Sequence, residues 1–114
     1  MVEGEGHVLG LDGGGSGTRC VIAEVSGRLL ARGIGGPSNP LTAGADNAAR
    51  AIMEAVEEAS RRCGIRHFAA ACMGIAGTDR PSGREAVIIR LKGIITDRLS
   101  IVSDAVAALY GAMG

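Results

Sequence analysis

The sequence predicts an α/β fold, in which helices flank a mixed sheet of five β-strands. The first third of the chain carries three short strand-like segments separated by tight turns, which is typical of an antiparallel meander. The remainder alternates helical patterns with apolar strand-like runs, which is typical of parallel strands joined by helical crossovers. With 114 residues, the chain is long enough for one small core, so we expect a single domain.

The meander is predicted at residues 7–11, 18–25 and 28–33. The second of these segments is rich in β-branched residues, and Ser26-Gly27 supplies a tight turn before the third. The following segment, 34–40, contains prolines and glycines. We therefore expect an irregular loop there.

A helix is predicted from Asp46, as its N-cap residue, to Cys63, with Gly64 ending it. Its apolar residues recur at spacings of three and four, which indicates one buried stripe. The stripe consists of Ala49, Ile52, Val56, Ala59 and Cys63.

The second half of the chain continues the alternation. The apolar run 68–75 lies between two predicted helices, which favours a buried parallel strand over another helix. A Thr78-Asp79 cap and Pro81 predict a helix that runs to about Lys92. A fifth strand is predicted at 99–103, and Asp104 is expected to begin a last helix.

The composition excludes several classes of partner. The formal net charge is +0, with one Tyr and one Phe, so nucleic acid would find neither a basic patch nor an aromatic stacking platform. The acidic N-terminus lacks a signal-peptide segment, and no apolar run has the length of a membrane span, which predicts a cytoplasmic protein without membrane contact.

The three cysteines are far apart in apolar surroundings and are predicted to be buried, reduced thiols.

A glycine-rich turn after the first strand is predicted to bind phosphate, because glycine lets backbone N–H groups approach a polyphosphate closely. A strand follows the turn and no Gly-Lys-Ser/Thr ending is present, so it fits neither a Walker-type loop nor the dinucleotide fingerprint. A β-hairpin turn remains, and a flexible turn without a ligand is the alternative. The residues concerned are Asp12, Gly13, Gly14, Gly15, Ser16, Gly17 and Thr18.

Loops of unusual composition are expected to meet at one edge of the sheet. Strands one, three, four and five are predicted to point the same way. The glycine turn, the 35–40 loop, the 74–78 loop and Asp104 therefore lie at the carboxyl ends of strands. Ligands of open α/β sheets bind at such an edge.

The residues at this edge each have two interpretations. Asp12 either caps the turn or holds Mg²⁺ through waters, and we favour magnesium. Asn39 either starts an Asn-Pro turn or orients a hydroxylated substrate, and residues 74–77 form either an ordinary turn or part of the site. Asp104 either caps a helix or accepts the proton of a substrate hydroxyl that attacks a γ-phosphate, and we favour catalysis.

Four motifs follow one another along the chain: Asp-Gly-Gly-Gly-Ser-Gly-Thr-Arg at 12–19, Pro-Ser-Asn at 37–39, Gly-Ile-Ala-Gly at 74–77 and Ser-Asp-Ala at 103–105. In this order and spacing they resemble the N-terminal lobe of the BadF/BadG/BcrA/BcrD-type ATPase family, and within it N-acetylglucosamine and glucosamine kinases most closely. The resemblance implies a ribonuclease H-like, actin-like ATPase fold with strand order 3-2-1-4-5. That order agrees with a meander followed by two crossovers.

The resemblance also implies ATP and Mg²⁺ as cofactors and a small sugar as substrate. It assigns Gly13 through Thr18 to the ATP phosphates and Asp12 to Mg²⁺. It places Ser38, Asn39, Gly77 and Thr78 at the sugar. It makes Asp104 the catalytic base.

Members of this family continue into a second lobe with another phosphate loop, so residues 1–114 are expected to be one N-terminal lobe that by itself binds ATP weakly and catalyses nothing. Either the second lobe or a second copy of the chain would cover its open surface. The kinase is preferred over an ATPase activator of 2-hydroxyacyl-CoA dehydratases or benzoyl-CoA reductases, because the cysteines lie at no motif for the iron–sulfur cluster that such an activator needs. A non-catalytic nucleotide-binding module is the third alternative.

Overall fold

The computed structural model describes residues 6–79, 81–96 and 99–102. Its elements, in chain order, are β1 (His7–Gly13), β2 (Thr18–Glu24), β3 (Leu29–Gly35), α1 (Pro40–Ala43), α2 (Ala45–Cys63), β4 (Ala70–Ile75), α3 (Pro81–Leu91) and β5 (Leu99–Val102). The predicted helix that begins at Asp104 lies outside the described residues.

The sheet is mixed, and its strand order is β3-β2-β1-β4-β5. β2 pairs antiparallel with both β1 and β3, which confirms the predicted meander. β4 pairs parallel with β1, and β5 pairs parallel with β4. The carboxyl ends of β1, β4 and β5 therefore lie at one edge of the sheet, as predicted.

The core lies on one face of this sheet. Buried side chains alternate along the central strands and form one cluster with α2 and α3. α2 packs across β2 and β3, and it also contacts α3. The strand members of the cluster that are fully buried include Leu9, Leu11, Ile22, Met73 and Ile75.

α2 lies unusually close to the edge strand β3. A Cβ atom added at Gly33 would overlap the carbonyl oxygen of Ala55, and one added at Gly35 would overlap that of Ala51. At the same edge, Glu58 accepts a hydrogen bond from the backbone N–H of Ile34 at 3.1 Å. A side chain of α2 thus accepts a hydrogen bond from a backbone N–H of the edge strand, and an additional strand could pair with β3 only by replacing this bond.

The start of α2 differs from the prediction. Its N-cap residue is Gly44, and Asp46 lies in the first turn of the helix. The carboxylate of Asp46 instead accepts a hydrogen bond from Arg90 of α3 at 2.6 Å, so a tertiary contact uses the side chain that the sequence predicts as a cap. The end of α2 is confirmed at Gly64, which has a φ of 78° and donates to the Ser60 carbonyl at 2.7 Å.

The cysteines confirm the prediction only in part. All three are free, but Cys20 alone is buried, whereas Cys63 and Cys72 are half-buried. Burial, followed by the neighbouring Cys63 thiol, raises the pKa of Cys20 to about 12. Burial also raises the pKa of Cys72.

Within the described residues, no helix combines the length and the apolar character needed to cross a membrane.

Candidate functional site

The glycine turn joins β1 to β2 as a hairpin. The two strands pair as far as Gly13 and Thr18, so residues 14–17 form the turn itself. The N–H of Gly14 donates to the carbonyl of Gly17 at 3.0 Å. Gly15 and Ser16 are exposed at the tip. A strand follows the turn, and this confirms the hairpin type that the sequence predicts.

Two further loops lie against this turn. The N–H of Ser38 donates to the Gly14 carbonyl at 3.0 Å, and the N–H of Ala76 donates to the Gly13 carbonyl at 2.9 Å. These two loops also touch each other, because the side chain of Asn39 fills the space beside Gly77, where a Cβ atom would otherwise project. The structure thus brings together three of the four segments that the sequence places at this edge.

The buried hydroxyls of the predicted site face the protein. Thr18 contacts the Gly36 carbonyl at 2.7 Å and the Ser38 hydroxyl at 2.8 Å. Thr78 donates to the Ile75 carbonyl at 2.6 Å. All three hydroxyl residues, Thr18, Ser38 and Thr78, are buried. Each of these hydroxyl groups contacts another group of the protein. Contact of these residues with a ligand stays a prediction.

Asn39 lies at the start of α1, a short helix in a region where the sequence predicts the end of a loop. Its Oδ1 accepts a hydrogen bond from the N–H of Leu41 at 2.9 Å, which makes Asn39 the N-cap residue, and Pro40 is the first residue of the helix. The Asn-Pro pair was the available signal, since proline is favoured at the first helical position. The other amide atom, Nδ2, makes no hydrogen bond with the described residues.

Asp12 is one of the residues that line a cavity of about 480 Å³. Its carboxylate forms an ion pair with Arg19, with Nη2 and Oδ2 2.8 Å apart, and 23% of its side chain is exposed. The lining consists of Asp12, Gly14, Ser16, Gly17, Thr18, Arg19, Ile34 and Gly35. The glycine turn therefore opens onto a space that holds both a carboxylate and a guanidinium.

The donor set at Asp12 fits a hydrated magnesium ion. Mg²⁺ usually keeps several waters and takes one or two carboxylates, with phosphate oxygens as further ligands. Asp12 offers one such carboxylate, and its Oδ1 has no protein partner within the described part of the chain. No group of three or more His, Cys, Asp or Glu side chains that could hold a metal is found among the described residues.

Arg19 is absent from the predicted site, although the sequence contains a signal for it. In the hairpin register, Asp12 pairs with Arg19 directly across the two strands. Counting outward from the Gly13 and Thr18 pair would have placed the two charges opposite each other.

The predicted base, Asp104, lies outside the described residues. The register of the preceding strand nevertheless bears on it. Asp12 pairs with Gly74, and Gly74 pairs with Val102, so these three positions form one row across β1, β4 and β5. Asp104 follows two residues after the end of that row in the sequence.

Comparison with known proteins gives a family match and a curated relative. The model of the BadF/BadG/BcrA/BcrD ATPase family matches residues 9–113. An N-acetylmuramic acid/N-acetylglucosamine kinase from Clostridium acetobutylicum is 31% identical over 109 residues, which is 92% of this chain and 35% of the relative. The chain therefore spans about a third of the length of that relative.

Two solved structures resemble the fold. A Chromobacterium violaceum protein provisionally assigned as an N-acetylglucosamine kinase superposes with a TM-score of 0.75 at 24% identity, over 93% of this chain and 39% of that one. The ROK hexokinase from Thermus thermophilus superposes with a TM-score of 0.51 at 26% identity, over 86% and 28%. The mixed sheet with its hairpin is thus a fold that occurs in sugar-kinase structures.

Proposed function

The chain belongs to the BadF/BadG/BcrA/BcrD ATPase family, and from this premise we propose that it is the N-terminal lobe of an ATP-dependent sugar kinase. The proposed substrate is N-acetylglucosamine or glucosamine, and the lobe has the ribonuclease H-like topology of actin-like ATPases. One observation carries the proposal. The hairpin-type glycine turn opens onto a cavity beside Asp12, and the loop with Asn39 lies directly against it.

The site divides the substrates between two loops. The exposed turn, with the hydroxyl of Ser16 at its tip, faces the phosphates of ATP, because successive backbone N–H groups of such a turn bind anions. Gly13, Gly14, Gly15, Gly17 and Thr18 complete this phosphate loop. Asp12 would hold Mg²⁺, and the bound ion would neutralise phosphate charge during transfer. Asn39 positions the sugar, and Ser38, Gly77 and Thr78 form the loops that hold Asn39 in place.

The proposed reaction is an in-line phosphoryl transfer. Asp104 accepts the proton of a sugar hydroxyl as the hydroxyl oxygen forms a bond to the γ-phosphorus. The bond between that phosphorus and the bridging oxygen breaks, and ADP leaves. The work of the lobe is to hold the phosphates and the hydroxyl in line, since positioning and electrostatics provide most of the catalysis in phosphoryl transfer.

A second lobe is part of the proposal, because the relative is nearly three times longer than the matched region. Closure of two lobes excludes water from the transferred phosphoryl group and completes the phosphate clamp. We therefore expect residues 1–114 alone to bind ATP weakly and to show no transfer. The second lobe, or a second copy of the chain, would cover the surface around the opening of this cavity.

The test is phosphoryl transfer by the full-length protein that contains this lobe. ADP release is measured with N-acetylglucosamine, glucosamine or N-acetylmuramic acid, with no sugar as the control. We expect sugar-dependent turnover, and we expect Asp104→Asn to lower kcat by about 10³-fold, in the range of a lost general base, while ATP binding survives. Unchanged turnover in that variant would show that Asp104 is not the catalytic base.

Two other outcomes would support the alternative functions. ATP hydrolysis that is independent of sugar, together with bound iron, would support the dehydratase activator. ATP binding with neither activity would support a non-catalytic module.

A further inference from the structure

The hydroxyl groups of Ser38 and Thr18 are buried and contact each other beside the glycine turn. Ser38 is 0% exposed and Thr18 is 1% exposed. The family resemblance places Ser38 at the sugar, but the hydroxyl of Ser38 contacts Thr18 at 2.8 Å. A fully buried side chain that already has a protein partner is badly placed to meet a substrate.

The hydrogen atoms of this pair can be assigned. The Gly36 carbonyl has no hydrogen to give, so Thr18 must donate its only hydroxyl hydrogen to it, across 2.7 Å. The contact between the two hydroxyls then requires the hydrogen of Ser38. Ser38 therefore has no donor left for a sugar, and its hydroxyl is committed to the protein.

Ser38 also explains why residue 13 is glycine. A Cβ atom at Gly13 would overlap the Oγ of Ser38. The Ser38 hydroxyl thus fills the space that a side chain of the phosphate turn would take. In addition, the backbone N–H of Ser38 donates to the Gly14 carbonyl at 3.0 Å. Two hydrogen bonds and this close approach of its Oγ to Gly13 thus join Ser38 to the glycine turn.

We propose that Ser38 and Thr18 form a buried joint that fixes the glycine turn against the loop of residues 36–39. Ser38 is accordingly a positioning residue and not a ligand contact. The next residue, Asn39, carries the amide proposed to meet the sugar, while Gly14 on the other side belongs to the phosphate turn. Since both are attached to the joint, its loss weakens ATP and sugar binding together. The inference about the sugar rests on the proposed function, whereas the inference about the turn does not.

The experiment compares Ser38→Ala, Thr18→Val and the double variant in the full-length protein. Thr18→Ser keeps the hydroxyl and is the conservative control. Ser60→Ala removes another buried hydroxyl, on α2 and outside the joint, and is the matched control for stability. Dissociation constants are measured separately for MgATP and for N-acetylglucosamine, and KM and kcat are measured with both.

We expect Ser38→Ala and Thr18→Val each to weaken both ligands by a similar factor, about three- to tenfold, as for the loss of one buried hydrogen bond. The double variant should be little worse than the worse single variant, because the joint is already broken. Thr18→Ser keeps the hydroxyl and should bind both ligands more tightly than Thr18→Val does, and Ser60→Ala should leave both constants unchanged. A loss confined to the sugar in Ser38→Ala would make Ser38 a ligand contact and overturn the joint. Single effects that multiply in the double variant, or no effect at all, would overturn it equally.

The joint is also tested if the protein proves not to phosphorylate sugars. In the 114-residue chain, the amide of residue 38 donates to Gly14, so its hydrogen exchange reports whether the turn and the loop stay together. We expect Thr18→Val to accelerate this exchange by about tenfold, and Thr18→Ser and Ser60→Ala to leave it unchanged. Unchanged exchange in Thr18→Val would overturn the joint whatever the enzyme does.

Discussion

Two glycine-rich regions of this chain use the same residue for opposite purposes. In the turn after β1, a Cβ atom at Gly15 would meet nothing within 4 Å. On β3, a Cβ atom at Gly33 or Gly35 would overlap a backbone carbonyl of α2. In the first region the space beside the glycine is open, and in the second region a helix fills it.

The difference teaches that the neighbours of a glycine, and not the glycine itself, decide its function. Gly33 and Gly35 let α2 lie directly on the edge strand, and small helix residues complete the contact from the other side. The buried alanines of that helix are Ala48, Ala49, Ala51, Ala55 and Ala59. Gly13 is intermediate between the two regions, because the atom that fills its space belongs to the Ser38 side chain.

The largest expected effect is that of Gly35→Ala. The added methyl group would overlap the Ala51 carbonyl, and backbone cannot move aside without shifting α2. We expect the free energy of unfolding to fall by about 3 kcal/mol, the upper part of the range for overpacking. Urea unfolding followed by far-UV circular dichroism measures it. A loss below about 1 kcal/mol would mean that α2 moves aside easily, and the contrast between the two regions would fail.

The next effect is that of Gly13→Ala, which we expect to cost about 2 kcal/mol. Here the overlapping atom is the Oγ of Ser38, so truncating that side chain should relieve the clash. The double variant Gly13→Ala/Ser38→Ala is therefore expected to be more stable than Gly13→Ala alone. Thermal unfolding of the four proteins of this cycle measures the coupling. Additive losses would show that Ser38 does not fill the space over Gly13.

A smaller effect on stability is expected from Gly15→Ala, since the added methyl group meets no atom. The free energy of unfolding should stay within about 0.5 kcal/mol of the parent value. ATP binding should weaken nonetheless, because the methyl group projects where phosphates are proposed to approach. Calorimetric titration with MgATP checks this. Unimpaired ATP binding would show that the tip of the turn does not contact the nucleotide.

The smallest effect concerns the charges that surround α2. The hydrogen bond and then the positive charge of Arg90 lower the pKa of Asp46 below its ordinary value of 3.8. A lowered pKa in the folded state stabilises the protein above the unfolded pKa, and this contribution is lost as the pH falls through the folded pKa. Asp46→Asn should therefore cost a little stability at pH 7 and less at pH 3, by urea unfolding. A loss of stability that grows toward low pH would contradict a lowered pKa of Asp46 in the folded protein. A cost at pH 7 as large as that of Gly35→Ala would show that charge, and not close packing, holds α2.

Much of the fold could be predicted because its signals are local. Runs of β-branched residues marked β2, Gly64 marked the end of α2, and Pro81 marked the start of α3. The stripe of α2 was only half predicted. Ala48, Ala51 and Ala55 are buried as well, but alanine carries a weak hydrophobic signal that is easily overlooked beside isoleucine and valine. The predicted N-cap at Asp46 was wrong, since the helix begins at Ala45 after Gly44, and the Asp46 carboxylate contacts Arg90.

The candidate site was predictable in its position and less so in the orientation of its side chains. Parallel strands bring their carboxyl ends to one edge, so the meeting of the glycine turn with the other two loops followed from strand direction alone. The burial of Thr18, Ser38 and Thr78 did not follow, because serine and threonine are mostly exposed in proteins and only tertiary packing buries these three. Arg19 is part of the 12–19 motif but was given no role in the site, since its partner is set by the register of the hairpin.

The sequence by itself determined the order of the main elements, the hairpin type of the glycine turn and the family, because these depend on residues near one another in the chain or on motifs in a fixed order. Only the tertiary structure decided that Ser38 points inward to Thr18 and that Gly35 touches α2. Those contacts join residues up to about twenty positions apart, and they exist only after the sheet and helices have packed. Local pattern thus fixes what each segment becomes, and packing fixes which side chains remain available to a ligand.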